Sequence, residues 1–558
     1  MPARWLKKFE AALGQNDINA AAKLFADECY WRDLVAFTWN IRTSEGRDEI
    51  RALLAATLSQ TKPVNFSLHG VNPDEAWFSF ETAVGRGIGH LRLKKGKAWT
   101  LLTTLQELKG FEEKRDFPRE EIKRDPYVAI VGGGQGGIAL AARLKRLGVP
   151  AVVLEKNARA GDSWRKRYKT LCLHDPVWYD HLPYLPFPEH WPVFSPKDRM
   201  GDWLEMYVKV MELDYRTSAK VTRATFNEEA AEWEIFLGEN EILRAKHLVL
   251  ATGMSGFLRV PKIPGAETFR GKSFHSSEFP GADGWRGKQC VVVGSGTSAH
   301  DICAALHAEG AAEVTMIQRA PTIVATSDAL MELAWGKLYS EAAVKSGITT
   351  EIADLTTASV PFKVLPDLQR PIYQQIRTRD AKLYQGLEKA GFEYDFGPDG
   401  SGIHALYLRR GAGYYIEVGA SQMIVDYKIK LRSRVEISTI RENAVVLSDG
   451  SELPADLIVF ATGYGSMNQW AAQLISQEAA DRVGKVWGLG SNTKDDPGPW
   501  VGELRNMWKP TNVPALWFHG GNLMQSRHYS LYLALQLKAR FEGIPTPVFF
   551  IDPVHHKQ

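Results

Sequence analysis

The sequence predicts an α/β protein with two Rossmann-like dinucleotide-binding domains, one inserted in the other, behind an N-terminal α+β domain. Three observations carry this expectation. The stretches VAIVGGGQGG (128–137) and VVVGSGTSAHD (291–301) each run a short apolar strand into a glycine turn and then a helix start. From residue 127 onward, short apolar strands alternate with helical patterns: VAIV, VVL (152–154), LVL (248–250), VVV (291–293), VTMI (314–317) and LIVF (457–460). Such runs suit a parallel sheet covered on both faces. Residues 1–110 instead place helices first and alternating strands after, an α+β order.

Composition sets the limits. A chain of 558 residues exceeds one core and is expected to divide into about two to four domains. It is 44% hydrophobic and 24% charged, with a net charge of +3. No basic run stands out, so nucleic acid is not expected as a partner. No apolar run approaches the length of a membrane span, and MPARWLKKFEAALGQND lacks the apolar segment of a secretion signal. Neither a membrane nor an export route is therefore expected. The four cysteines, Cys29, Cys172, Cys290 and Cys303, form no CxxC pair. This argues against a dithiol redox centre or a zinc ribbon and suits the cytoplasm; no metal site is expected.

In the N-terminal region a helical pattern at 4–26 (Trp5, Leu6, Phe9, Leu13, Ala20, Leu24, Phe25) leads to CYWRDLVAFTWNIRTSEGRDEIRALLAATL and then to the strand-like NFSLHG, AWFSFETAV, GHLRLKKG and AWTLLTTLQEL. The charged stretch KGFEEKRDFPREEIKRDP (109–126) reads as a linker. The expected division is 1–110 for the N-terminal domain, 111–126 for the linker, 127–265 with 440–558 for the first dinucleotide-binding domain and 266–439 for the second.

Gly132, Gly134 and Gly137 form GxGxxG directly after VAIV. Glycine there lets the backbone approach a pyrophosphate, and the following helix N-terminus offers free N–H groups to the anion. The next strand ends at Glu155, placed to hold ribose hydroxyls. Two strands end in Ala-Thr-Gly: LVLATGM, with Thr252 and Gly253, and LIVFATGY, with Thr462 and Gly463. Each reads as a return to the same sheet. A repeated Ala-Thr-Gly after an apolar strand is characteristic of two-dinucleotide-domain flavoproteins, so the first site is read as binding FAD. In the second turn Gly294, Gly296 and Ala299 form GxGxxA, with Ser295, Thr297 and Ser298 around it. Its next strand ends in Gln318-Arg319 where the first unit has Glu155. A guanidinium attracts the 2′-phosphate that a carboxylate repels, so the second site is read as binding NADPH.

FRGKSFHSSEF (269–279) lies just before the second turn. It resembles the FxGxxxHxxx(Y/F) fingerprint of class B flavoprotein monooxygenases, matched at Phe269, Gly271, His275 and Phe279. SWRKRYKTLCLHDP (163–176), LPYLPFPEHWPVFSPKDRMGDWLEMY (182–207) and GYYIEVGASQ (413–422) resemble the YUCCA-type branch of that family, and the resemblance covers about 127–530. It implies that Ser163, Trp164 and Arg165 lie along the FAD, that His275 sits on the nicotinamide side, and that Gln525 and Ser526 in GGNLMQSRHYSLYLALQLKAR contact the flavin. His174 takes a position near the flavin ring and is the candidate catalytic residue. Amine-oxidising microsomal members have asparagine there, which argues against simple tertiary-amine N-oxidation.

The activity the resemblance implies is that of an NADPH- and FAD-dependent monooxygenase. NADPH reduces FAD, and oxygen adds to give a C4a-(hydro)peroxyflavin. Retained NADP⁺ shields this species from water, and one oxygen atom passes to a small organic substrate. Two alternatives share the cofactors: Baeyer–Villiger or oxidative-decarboxylating oxygenation of a ketone or 2-oxo acid, and an NADPH oxidase-like flavoprotein with a binding or assembly N-terminal domain. Residues 1–110, through LFADECYWRDLVAFTWNIRTSEGRDEI, resemble the SnoaL-like α+β cone, a fold that makes a homodimer an expected possibility. Trp31, Arg32 and Asp33 read either as pocket-lining residues or as an aromatic core with a paired surface ion.

Overall fold

The structure, a computed structural model, describes residues 1–114, 126–238, 241–494 and 496–554. The linker expected over 111–126 therefore lies mostly outside the described residues.

The helical pattern of 4–26 resolves into two helices, α1 (Pro2–Gly14) and α2 (Ile18–Lys23). They part where Asp17 accepts the N–H of Ala20 and starts a new helix. Phe25 then opens a strand instead of closing a helix: β1 (Phe25–Leu34) leads to β2 (Ile41–Glu45), α3 (Gly46–Thr61), β3 (Val64–Val71), β4 (Glu75–Glu81), β5 (Gly85–Lys94) and β6 (Lys97–Leu108). The six strands form one sheet in the order β2-β1-β6-β5-β4-β3. All neighbours are antiparallel except β1 and β6. Its interior is filled by rings: Trp5 stacks on Phe9 at 4.7 Å, Trp31 meets Phe37 at 5.0 Å, and Phe66 stacks on Phe80 at 5.6 Å.

Next come β7 (Val128–Val131), α4 (Gln135–Arg146), β8 (Ala151–Leu154), α5 (Asp162–Arg165), α6 (Lys197–Val210), β9 (Tyr215–Arg216), a meander of β10 (Val221–Asn227), β11 (Glu232–Leu237) and β12 (Glu241–Ala245), and β13 (His247–Leu250). The chain then crosses through β14 (Lys272–His275), β15 (Gln289–Val293), α7 (Thr297–Glu309), β16 (Glu313–Gln318) and β17 (Thr322–Thr326). A helical stretch follows: α8 (Ser327–Leu330), α9 (Glu341–Lys345), α10 (Thr350–Ala358), α11 (Leu365–Arg379) and α12 (Ala381–Ala390). After it come β18 (Tyr394–Asp395), α13 (Gly402–Arg410), β19 (Tyr414–Glu417), α14 (Ala420–Val425), β20 (Lys430–Ser433), the meander β21 (Ile437–Arg441), β22 (Ala444–Leu447) and β23 (Glu452–Pro454), and β24 (Leu457–Phe460). The last elements are α15 (Asn468–Leu474), α16 (Gln477–Val483), β25 (Leu516–Phe518) and α17 (Leu523–Phe541).

Two five-stranded, all-parallel sheets result, β25-β13-β7-β8-β9 and β14-β24-β15-β16-β20. Every apolar strand expected from residue 127 onward falls in one of them. One expectation is corrected. The two Ala-Thr-Gly strands do not return to the same sheet: β13 joins the first and β24 the second, between β14 and β15. Residues 440–460, expected in the first domain, thus run in the second unit. Each unit supplies its own Ala-Thr-Gly strand next to its own glycine turn.

The N-terminal part is not a separate bead. Its aromatic core is continuous with that of the first parallel sheet. Arg32, expected on the surface or in a pocket, is buried and bonds Glu503 through Nε and Nη2 at 2.7 and 2.8 Å. Its Nη1 donates to the Ala358 carbonyl, and Nη2 also donates to the Tyr529 hydroxyl. Trp31 and Asp33 are sealed as well, joined through the Thr103 hydroxyl.

Candidate active site

The two glycine turns are built alike. Gly132 and Gly294 adopt φ of +110° and +122°, a region side chains avoid. A Cβ on either would run into a carbonyl oxygen of the adjoining strand end, Ala251 in one unit and Ala461 in the other. A Cβ on Gly137 would meet the Gly132 carbonyl. These glycines are required by the fold itself.

The middle glycines are different. Gly134 and Gly296 have ordinary φ, −78° and −86°. A Cβ there would meet nothing nearer than Ser163 Oγ at 3.7 Å and the Tyr414 carbonyl at 3.5 Å. Chain packing does not demand glycine at either place, so what it preserves is room in front of a helix N-terminus whose first N–H groups lack intrahelical partners. Gly253 and Gly463 face open space at φ of +82° and +79°. Thr252 Oγ1 is buried with no partner among the described residues, whereas Thr462 Oγ1 donates to the Arg259 carbonyl. A diphosphate fits this donor set: uncrowded middle glycines, two helix N-termini and the orphan Thr252 hydroxyl.

Glu155 closes the first turn. It accepts the Gly133 N–H at 2.8 Å, and the Asn157 N–H and side-chain amide at 2.8 and 2.6 Å. At the end of β16, Gln318 is buried and brackets the Glu393 backbone with both ends of its amide. Arg319 is 73% exposed, with Glu436 at 3.7 Å.

A chain of contacts through Tyr414 joins the two turns. The Tyr414 carbonyl accepts the Thr297 hydroxyl at 3.1 Å beside the second turn. Its ring stands edge-on to His174 at 6.1 Å and to Tyr407 at 6.5 Å. From the first turn the wall continues through Trp164 Nε1, which donates to Gln135 Oε1 at 3.2 Å, and Gln135 Nε2, which donates to the Gly521 carbonyl at 3.3 Å. At the start of α17, the Asn522 N–H donates to the Tyr407 hydroxyl and the Asn522 amide donates to the Tyr179 hydroxyl, both at 3.1 Å. His174, Tyr179, Tyr407, Tyr414 and Asn522 are all half-buried. His404 shares the α13 face of Tyr407, one turn away. Burial holds its imidazole down at about 4.

Ser163 and Trp164 lie beside the first turn, but other expected contacts are spent elsewhere. Arg165 turns away to Asp202 and Glu205 of α6, at 2.8 Å each. Both ring nitrogens of His275 are taken, one by the Ser277 hydroxyl at 2.8 Å and one by the Gly463 carbonyl at 3.1 Å. Buried as well, His275 braces the Gly463 turn from behind. Gln525 is folded back over the first turn of α17 in a capping box with Asn522. Ser526 is wholly buried; neither residue presents surface to the cleft. Ser295 is bonded to Thr322 at 2.7 Å and Thr297 to Tyr414, while Ser298 reaches Tyr168. The second turn therefore offers backbone, not hydroxyls. The sequence reading missed Tyr179, Tyr407, Tyr414 and Asn522 as wall residues. Only Asn522 had a local signal, the N-x-x-Q of a capping box before an apolar run.

Known proteins carry the same plan. The family model of pyridine nucleotide-disulphide oxidoreductases matches residues 126–360, although no CxxC is present here. An indole-3-pyruvate monooxygenase of the YUCCA type from rice (Oryza sativa subsp. japonica) is 31% identical over 363 residues, covering 64% of this chain and 82% of the rice protein. The chain belongs to the YUCCA-type flavin monooxygenases. A probable YUCCA-type enzyme of Arabidopsis thaliana is 30% identical, over 61% of this flavin monooxygenase and 82% of the relative. Among solved structures, an OTEMO complex with FAD and NADP aligns with a TM-score of 0.54 at 19% identity, over 75% of this chain and 86% of that one. Open cyclohexanone monooxygenase aligns with a TM-score of 0.54 at 17% identity, over 75% and 88%. These two share its fold. Among the described residues, no helix of this flavin monooxygenase is long and apolar enough to cross a membrane.

Proposed function

We propose that this flavin monooxygenase binds FAD at the first turn and NADPH at the second, and oxygenates a small organic molecule in the cleft between them. One observation carries the reading: a Cβ on either middle glycine would meet no chain atom nearer than 3.5 Å, and contacts through Tyr414, Tyr407, Asn522 and Gln135 join the two turns. Gly132, Gly134, the orphan Thr252 hydroxyl and Glu155 form the FAD cradle, with Ser163 and Trp164 alongside. Gly294, Gly296, the α7 N-terminus and Arg319 form the NADPH cradle.

When bound, the flavin supplies the redox chemistry that takes hydride from NADPH and passes one atom of dioxygen to the substrate. The chain's own part is to bind, orient and exclude water. Helix N-termini hold the two diphosphates. Arg319, freed from Glu436, meets a 2′-phosphate. Tyr414, Tyr407 and Tyr179 wall the substrate side with half-buried rings, which limits water there. His174, beside Tyr414, is the polar group best placed to hold a proton near the reacting atoms. Residues 1–110, with their filled interior, serve as a docked structural module.

The test is spectroscopic. Reconstituted protein should be yellow and should bleach with anaerobic NADPH faster than with NADH. In air, NADPH consumption should rise with substrate and yield a product heavier by one oxygen atom. Stoichiometric hydrogen peroxide with every substrate offered would leave an oxidase and refute the reading. The name of the rice relative supports a second reading, a 2-oxo acid substrate, which requires a cation in the cleft to receive the carboxylate.

A further inference from the structure

Between α16 and β25 the chain folds around a buried ion pair. Asp496 is fully buried, pairs with Arg505, and accepts the N–H groups of Leu489, Gly490 and Ser491 at 3.0, 3.2 and 3.1 Å. Two backbone bonds tie the ends together: the Arg505 N–H donates to the Gly488 carbonyl at 3.1 Å, and the Trp487 N–H donates to the Arg505 carbonyl at 3.0 Å. Trp487 is buried and holds φ of +76°. A bulky residue stays in that region only where its surroundings impose it.

The two sides of this loop meet different neighbours. On one side Glu503, 2% exposed, receives Arg32 of β1 through Nε and Nη2 at 2.7 and 2.8 Å and the Thr43 hydroxyl of β2 at 2.7 Å. Trp500 Nε1 donates to Glu45. On the other side Trp487 Nε1 donates to the Tyr407 carbonyl at 2.9 Å, and the two rings stand edge-on at 5.2 Å. The Tyr407 hydroxyl accepts the Asn522 N–H at 3.1 Å and lies 3.7 Å from Sδ of Met254, the residue after Thr252-Gly253. A second set of contacts runs parallel to the first. Arg32 Nη2 donates to the Tyr529 hydroxyl at 3.0 Å, Tyr529 stacks on Trp508 at 4.0 Å, and Trp508 stands edge-on to Trp487 at 6.3 Å.

These contacts specify position more tightly than adhesion requires. A two-pronged guanidinium–carboxylate bond fixes Glu503 in angle as well as distance. The indole N–H fixes a carbonyl in the last turn of α13, where carbonyls lack helical partners. Close-packed rings between them pass a displacement on and do not absorb it.

We propose that the N-terminal domain takes part in the flavin site beyond being docked to it: Arg32 and Thr43 fix Glu503, the loop fixes Trp487, and Trp487 positions Tyr407 beside the first turn. Trp487 is thus a positioning residue, and its effect is to keep the Tyr407 ring between water and the flavin. The inference rests on the function proposed above, which puts the flavin at that turn.

The test uses FAD-reconstituted full-length protein given NADPH and air with no substrate. The readout is the wasteful reaction in which NADPH, a proton and dioxygen give NADP⁺ and hydrogen peroxide. Trp487→Phe keeps a ring and loses the N–H donor; it should release peroxide about threefold faster or more, within the worth of one hydrogen bond, and shift the flavin absorbance. Thr43→Val, on the N-terminal domain, should raise the rate about twofold by the same reasoning. In the Trp487→Phe background Thr43→Val should add nothing, because both act through one route. Phe66→Leu, inside the N-terminal domain where Phe66 stacks on Phe80, is the control: it should lower the thermal midpoint and leave peroxide release unchanged. Independent effects in the double variant, an unchanged rate in Thr43→Val, or a rise in Phe66→Leu equal to that of Thr43→Val would each overturn the inference. If Trp487→Phe does not fold, Thr43→Val and its control decide alone. A yellow, NADPH-reducible protein indifferent to these changes refutes this inference only; a parent protein that takes up no flavin refutes it together with the proposed function.

Discussion

Two glycines two residues apart in the first turn should respond in opposite ways to substitution. Gly134→Val places a side chain where the nearest atom, Ser163 Oγ, is 3.7 Å from the Cβ position, on a backbone with φ of −78°. The fold should lose no more than about 1 kcal/mol, the scale of a modest change at an uncrowded position. The added methyls fill the space before the α4 N-terminus. They would hold a diphosphate off the backbone donors, at a cost of two charge-assisted hydrogen bonds of about 1.5–3 kcal/mol each. The sum, about 3–6 kcal/mol, corresponds to a loss of flavin affinity of roughly two to four powers of ten. Gly132→Ala does the reverse. At φ of +110°, with the Ala251 carbonyl in the way, it carries about 1–3 kcal/mol of backbone strain and a similar overpacking cost. Flavin content from visible absorbance, set against thermal melts of the apoproteins, separates the two. Gly134→Val should be folded and colourless, and Gly132→Ala should melt early. A yellow Gly134→Val protein, or a Gly132→Ala protein as stable as the parent, would refute the division between cradle and scaffold glycines.

Other outcomes follow from the same geometry. Arg319→Ala should weaken NADPH about tenfold and leave NADH unchanged; removing the competing charge with Glu436→Gln should tighten NADPH, both read by titration of the oxidised enzyme. Glu503→Ala leaves Arg32 buried without its counter-charge and should cost about 3–5 kcal/mol in denaturant unfolding, much of it recovered when Arg32→Met is added. Burial holds His247 and His519 down to about 3 and His300 to about 4. Below the ordinary value near 6.5 the unfolded chain takes up protons that these folded sites refuse. Their contribution is therefore complete above about pH 6.5 and is lost as pH falls, by about 2 kcal/mol each at pH 5. Thermal midpoints should drop steeply between pH 6.5 and 5, and a flat profile would contradict this.

The parallel sheets were legible because their strands are apolar on both faces, and no other setting hides such runs so economically. The glycine turns were legible because the strand, the glycine spacing and the helix start sit together within about ten residues, although the carbonyls that forbid a Cβ at Gly132 and Gly294 come from distant strand ends. What escaped the sequence depends on pairing at a distance. LVLATG and LIVFATG read alike locally, and only hydrogen bonding to β7 in one case and to β14 and β15 in the other decides the sheet. Arg165 and His275 have the residue types that meet a nucleotide, yet Asp202, Glu205 and the Gly463 carbonyl claim them first. Arg32 looked like a surface ion because its partner, Glu503, lies 471 positions away. Tyr407 came from a helical stretch without a motif, Tyr179 from between two quoted stretches, and Tyr414 from inside GYYIEVGASQ; only folding joins them through Asn522 and the ring contact of Tyr407 with Tyr414.

Tyr414 offers its carbonyl to Thr297 of the second turn and its ring to His174 and Tyr407, so on the proposed reading the nucleotide and substrate stations meet across one residue. Redesign at that position to admit a bulkier guest will also alter the grip on the pyridine nucleotide, and tightening that grip will reshape the room left for the guest. Whoever alters this residue changes both affinities together, and the thermodynamic coupling must run equally in both directions.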